Sequence, residues 1–149
     1  MSAYRTIVVG TDGSSTSLAA VDRAAAVAKD ADAELLIVCA YTPASRESTL
    51  EAEDALKEEA FLVRGWTPAE ETLRVAEDRA VAAGANKVRR LAVDGPPVDV
   101  LRKTVVDADA DLLVVGNKGL NTLSGRLLGS VPSDVARRSP VDVLIVHTT

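Results

Sequence analysis

Short runs of consecutive apolar residues alternate along this chain with stretches in which apolar positions recur every three or four residues. The first run, Thr6-Ile7-Val8-Val9-Gly10, is β-branched and ends in turn residues, so it reads as a strand. From Ser14 to about Lys29 the spacing becomes helical: Leu18, Val21, Ala25 and Ala28 share a face, and Ser14 or Ser15 is placed to cap the helix. Leu35-Leu36-Ile37-Val38-Cys39-Ala40 is apolar throughout, as a strand buried on both faces of a parallel sheet must be. From Thr42 to Gly65 the chain is polar and acidic (Glu47, Glu51, Glu53, Asp54, Glu58, Glu59) with weak periodicity, and is expected to form a partly helical, mobile insertion beside the site. Pro68 suits the first turn of a helix whose face carries Leu73, Ala76, Ala80 and Ala83, and which Gly84 stops. Val88 to Val93 reads as a third strand, with a polar start that predicts a sheet edge. Pro96 and Pro97 open a helix with Val98, Leu101 and Val105 inward, and Leu112 to Val115 is the fourth strand. A short helix over residues 131–138 and a last strand from Val141 to His147 complete the pattern.

Five strands alternating with helices predict a doubly wound α/β sheet. Such sheets bind ligands at the carboxyl ends of their strands, where the strand order reverses, so the loops after strands one, two and four should carry the site. No internal repeat, linker or low-complexity segment divides the chain, and residues 1–149 are read as one domain.

Composition narrows the picture. With 149 residues, 47% hydrophobic but only 3% aromatic, the chain can bury a core built from Val, Leu, Ile and Ala. A formal charge of −5 argues against nonspecific nucleic-acid binding, which needs a basic surface. A single cysteine, Cys39, allows no internal disulfide and fits a reducing compartment. No apolar run is long enough to span a bilayer, and the first five residues show no signal-peptide pattern, so a cytoplasmic location with no membrane partner is expected.

The candidate chemistry lies after strand four. Gly116-Asn117-Lys118-Gly119 is followed, nine residues on, by Gly129-Ser130 at the start of a helix. Glycines let the backbone approach an anion, and free N–H groups at a helix start point toward it. Ser130 is placed to donate to a phosphate, to cap the helix, or both. After strand one, Asp12 can reach a ribose hydroxyl or a magnesium ion; equally, Asp-Gly-Ser is ordinary turn chemistry in which the aspartate bonds its own backbone. Cys39 reads as a small buried hydrophobe. His147, the one histidine, lacks a second histidine for a metal site. Lys118 and Arg126 can neutralise phosphate or simply be solvated, Trp66 reads as a core or lid contact, and the acids around Glu58 as a solvated face.

Together these residues resemble the nucleotide-binding branch of the universal stress protein family. Its G-x2-G-x9-G-[S/T] pattern is matched at every fixed position by Gly116, Gly119, Gly129 and Ser130. The Val-Gly-Thr-Asp-Gly-Ser start, the apolar second strand and the Asp-Val-Leu-Ile-Val end extend the likeness over nearly the whole chain. The resemblance implies an open five-stranded parallel sheet with helices on both faces, in the order 3-2-1-4-5. It also implies a nucleotide site at Gly10, Thr11, Asp12, Ala40, Gly116, Gly119, Gly129, Ser130 and Val131. There Asp12 contacts the nucleotide, the backbone of Ala40 meets adenine, and the glycines, Ser130 and the Val131 backbone hold ribose and phosphates. The family often has proline or another residue where this chain has Gly10, and a glycine there lets a ligand come closer to strand one. The expected ligand is therefore ATP, with magnesium, or another adenine nucleotide such as cAMP. Pairing of the last strand across a two-fold axis, giving a homodimer, is implied as well.

No catalytic apparatus is visible. The chain has no G-x-S-x-G elbow, no Ser/His/Asp set and no G-x4-G-K-[S/T] frame. A receiver domain would need an acidic pair after strand one and an acceptor aspartate after strand three, whereas Asp12 stands alone and Asp94 is followed by Gly95-Pro96. The readings that remain are a nucleotide-binding regulatory or stress protein, a cAMP sensor or buffer, and a weak ATPase.

Overall fold

The computed structural model describes residues 2–42, 66–118 and 130–148. In chain order its elements are β1 (Thr6–Gly10), α1 (Ser15–Ala31), β2 (Glu34–Tyr41), α2 (Trp66–Ala82), β3 (Lys87–Asp94), α3 (Pro97–Asp107), β4 (Leu112–Gly116), α4 (Ser130–Arg138) and β5 (Asp142–Val146). The strands form one parallel sheet in the order β3-β2-β1-β4-β5. From β1 the chain steps outward through β2 to β3, then crosses by α3 to β4 on the other flank of β1. The order reverses between β1 and β4, which is where a doubly wound sheet opens a crevice.

Strand alternation sorts the core into two layers. Ile7 and Val9 of β1, Leu35, Ile37 and Cys39 of β2 and Val114 of β4 face α1 and α2. Val8, Leu36, Val38, Leu113 and Val115 face α3 and α4. Four of the six buried residues of α1 are alanines, Ala20, Ala24, Ala25 and Ala28, small enough to let this helix sit close to the sheet. No helix among the described residues is long and apolar enough to cross a membrane.

Element ends follow local chemistry. Ser14 is the N-cap of α1: its backbone is extended and its side chain accepts from the Ser17 N–H. The helix runs past the expected end at Lys29 because Asp32, in the left-handed region at φ 52°, turns its N–H back onto the Ala28 and Lys29 carbonyls. Pro96 and Pro97 open α3 as expected. The edge strand β3 carries exposed Lys87, Arg89 and Arg90, which pair with Asp32, Glu34 and Glu77. The opposite edge, β5, is shorter than read from the sequence and has one charged residue, Asp142, which accepts from the Tyr4 hydroxyl at 3.0 Å. The expected insertion lies outside the described residues from position 43 onward.

Candidate functional site

Because all five strands run the same way, the carboxyl ends of β1, β2 and β4 open at one edge of the sheet. The turn after β1 is tied down by its own side chains. Thr11 is buried, and its N–H donates to the Val38 carbonyl at 2.9 Å. Its Oγ1 lies 2.8 Å from Ser17 Oγ and accepts from the Gly13 N–H at 3.1 Å. Asp12 Oδ1 accepts from the Ser14 N–H at 3.0 Å, so the ordinary turn chemistry is present. Its second oxygen is different: Oδ2 is buried and has no hydrogen-bond partner among the described residues. A desolvated carboxylate oxygen without a donor is costly, and a hydroxyl or cation supplied by a ligand would offset that cost. Gly13 sits at φ 87°, and a Cβ there would lie 3.2 Å from both Cγ2 and Oγ1 of Thr72, so α2 closes over this turn.

At the end of β2, Cys39 is fully buried. Burial, then the negative charges of Asp12 and Glu70, push its thiol up to about 12. It is therefore protonated at neutral pH and is no thiolate nucleophile. Ala40, half-buried, packs on the opposite layer, and the Tyr41 carbonyl accepts from the Gly95 N–H at 3.0 Å.

The exit from β4 is built differently. The Asn117 N–H donates to the Val146 carbonyl at 2.9 Å, and Asn117 Oδ1 accepts both the N–H and the hydroxyl of Thr148 at 2.8 Å. The start of the glycine loop is thereby fastened to the segment just after β5. A Cβ on Gly116 would meet Thr148 Cγ2 at 3.5 Å, the Thr16 carbonyl oxygen at 3.6 Å and Ala20 Cβ at 3.9 Å, all ordinary contacts. Lys118 is half-buried.

The structure thus brings Gly10, Thr11, Asp12, Ala40 and Gly116 to one edge of the sheet. Gly119, Gly129 and Arg126 lie outside the described residues, as does the acidic cluster around Glu58. Ser130 opens α4 with its backbone, and Val131 in the first turn packs against the α3 and α4 layer. Gly10 has a packing reason that the sequence does not display: a Cβ there would stand 3.0 Å from Leu101 Cδ2 of α3. Ser17 and Asn117 had no assigned role in the sequence reading. The signal for Ser17 is a serine three positions after the capping Ser14; the role of Asn117 depends on Thr148, which only the fold brings near.

Comparison with known proteins agrees with this architecture. The model of the universal stress protein family matches residues 3–147. The chain is 54% identical over 149 residues to the universal stress protein Rv1636 of Mycobacterium tuberculosis H37Rv, covering 100% of both. A universal stress protein crystallised in complex with cAMP is 49% identical, with a TM-score of 0.75 over 99% of this chain and 100% of that one. The universal stress protein from Archaeoglobus fulgidus in complex with dAMP, 21% identical, shares the fold at a TM-score of 0.68, over 95% of this chain and 97% of that one. The chain belongs to the universal stress protein family.

Proposed function

We propose that this protein is a cytoplasmic regulator that binds an adenine nucleotide at the carboxyl ends of β1, β2 and β4 and does not turn it over efficiently. The observation that carries this reading is the buried Oδ2 of Asp12, without a hydrogen-bond partner among the described residues, at the point where the strand order reverses. A ribose hydroxyl is the donor that such an oxygen suits, and with ATP a magnesium ion is the other candidate. In this reading the backbones of Gly10 and Thr11 line the pocket floor and Ala40 offers its backbone to adenine. Gly116, Gly119, Gly129, Ser130 and Val131 hold ribose and phosphates. A relative 49% identical over nearly the whole chain was crystallised with cAMP, which favours cAMP over ATP as the ligand. Binding without chemistry is supported by the protonated Cys39 thiol and by His147, which is exposed after β5.

The test is calorimetric titration of the protein with ATP, ADP, AMP and cAMP, with phosphate release followed in parallel. Saturable heat with at least one nucleotide and no appreciable phosphate release is expected. Absence of heat with all four defeats the proposal, and rapid phosphate release restores the ATPase reading. Ser130→Ala should weaken binding by about 1 kcal/mol or more if its hydroxyl meets a phosphate.

We also infer a homodimer through β5. Among the described residues this edge strand pairs only with β4, and Val143, Leu144 and Ile145 stay half-buried on it. No lysine or proline interrupts it, so its outer N–H and C=O groups, unpaired with any other strand among the described residues, can pair with a second copy. Val143→Pro should convert a dimer mass in light scattering to a monomer mass. A monomer mass for the unaltered protein, with and without nucleotide, rules the dimer out.

A further inference from the structure

We infer that Ser17, in the first turn of α1, is a positioning residue that aims the Asp12 carboxylate at a ribose hydroxyl of the bound nucleotide; this rests on the adenine-nucleotide reading above. Ser17 Oγ makes three contacts that reach across the turn. It donates to the Ser14 carbonyl at 3.0 Å, lies 2.8 Å from Thr11 Oγ1, and accepts from the Asp12 N–H at 3.4 Å.

Proton bookkeeping allows one consistent direction for these bonds. A hydroxyl has one hydrogen and two lone pairs. With the Ser17 hydrogen on the Ser14 carbonyl, the Thr11 hydroxyl must donate to Ser17. Thr11 Oγ1 is then free to accept the Gly13 N–H, as it does at 3.1 Å. The result is a relay from Gly13 N–H through Thr11 and Ser17 to the Ser14 carbonyl, in which each bond polarises the next.

A serine inside a helix commonly bonds a carbonyl one turn back and does nothing more. Ser17 has that bond, but it also holds the Asp12 backbone and the Thr11 hydroxyl. Asp12 is thus held at both ends, its N–H by Ser17 and its Oδ1 by the Ser14 N–H. With those two points fixed, Oδ2 has one place to go, and that place is buried and without a donor among the described residues. A turn built to fold only for its own sake would not leave that oxygen unsatisfied while satisfying the groups around it.

The experiment measures, by calorimetry on the full chain, the affinities for cAMP and for 2′-deoxy-cAMP. The 2′-hydroxyl is the only free ribose hydroxyl in cAMP, because the 3′ oxygen is esterified. The unaltered protein should prefer cAMP by about tenfold or more, as a hydrogen bond to a carboxylate warrants. Ser17→Ala should bring the two affinities within about twofold by weakening cAMP alone, and Ser17→Thr, which keeps the hydroxyl, should retain the preference. A merely structural serine would weaken both ligands equally, so the ratio separates the two roles within one variant. An unchanged ratio in Ser17→Ala overturns the inference, as does equal binding of both ligands by the unaltered protein; nucleotide binding itself then stands. Binding of neither ligand by the unaltered protein overturns the inference, and the proposed function falls with it only if ATP, ADP and AMP also give no heat.

Discussion

The chain leaves β1 and β4 side by side at the reversal of strand order, yet the two exits are held by different means. After β1, contacts between residues two to six apart close the turn on itself, and a glycine at φ 87° passes under Thr72. After β4, a single asparagine fastens the backbone to Thr148, 31 residues further along the chain. The first exit takes most of its side-chain bonds from its own turn. The second borrows its rigidity from the far end of the molecule. A site assembled from both joins one part held mainly by near neighbours in the chain with another that depends on the segment after β5.

Breaking the local turn should have the largest effect. Gly13→Val forces a β-branched residue into the left-handed region and against Thr72, and should cost about 2–3 kcal/mol of unfolding free energy, read from urea titration. Asn117→Ala removes the acceptor for two Thr148 donors and should cost about 1–2 kcal/mol, with amide protection of Thr148 lost while that of α1 is retained. If Asn117→Ala also loosens the turn after β1, the two exits are not independent.

Cys39 extends the comparison to the neighbouring β2 exit, since Asp12 contributes to its shift. Its folded value is raised from 9.0 to about 12, so the stability it carries is complete below pH 9 and is lost as pH rises toward 12. Over that window the unaltered protein should lose about 1 kcal/mol more per pH unit than Cys39→Ala, measured as the difference between their alkaline unfolding curves. The smallest effect belongs to Gly116→Ala: with neighbours no closer than 3.5 Å, it should change stability by less than about 0.5 kcal/mol, in contrast to Gly13→Val.

The difference between the exits also explains what could be read from the sequence. The strand and helix order was legible because apolar runs and helical spacing are local signals, and the parallel sheet follows from their alternation. Asp12 was legible as a turn residue, and its Oδ1 makes the local bond expected of one, while its Oδ2 is buried without a partner among the described residues. The Asn117 clamp was not legible, because its partner is distant and an asparagine after a glycine reads as turn chemistry. Gly10 was read only for its openness to a ligand; that Leu101 fills the space beside it depends on how α3 crosses the sheet. The last strand begins one residue late because Val141 is held in a turn, its carbonyl accepting from the Ser139 hydroxyl at 2.8 Å.

The central position of β1 sets a timetable for folding. β1 is the first strand made, but its β4 flank stays open until residues about a hundred positions later appear; Asp111, which takes the Arg5 and Thr6 N–H groups, lies 105 residues beyond Thr6. At a synthesis rate of about 5–20 residues per second, that wait is about 5–20 s. Until then Ile7, Val8 and Val9, all fully buried in the finished protein, lack the β4 neighbours that cover one side of β1. Among the described strands, β1, which leads into the Asp12 turn, therefore waits longest for its second neighbour, and its open edge is where a chaperone would act during synthesis.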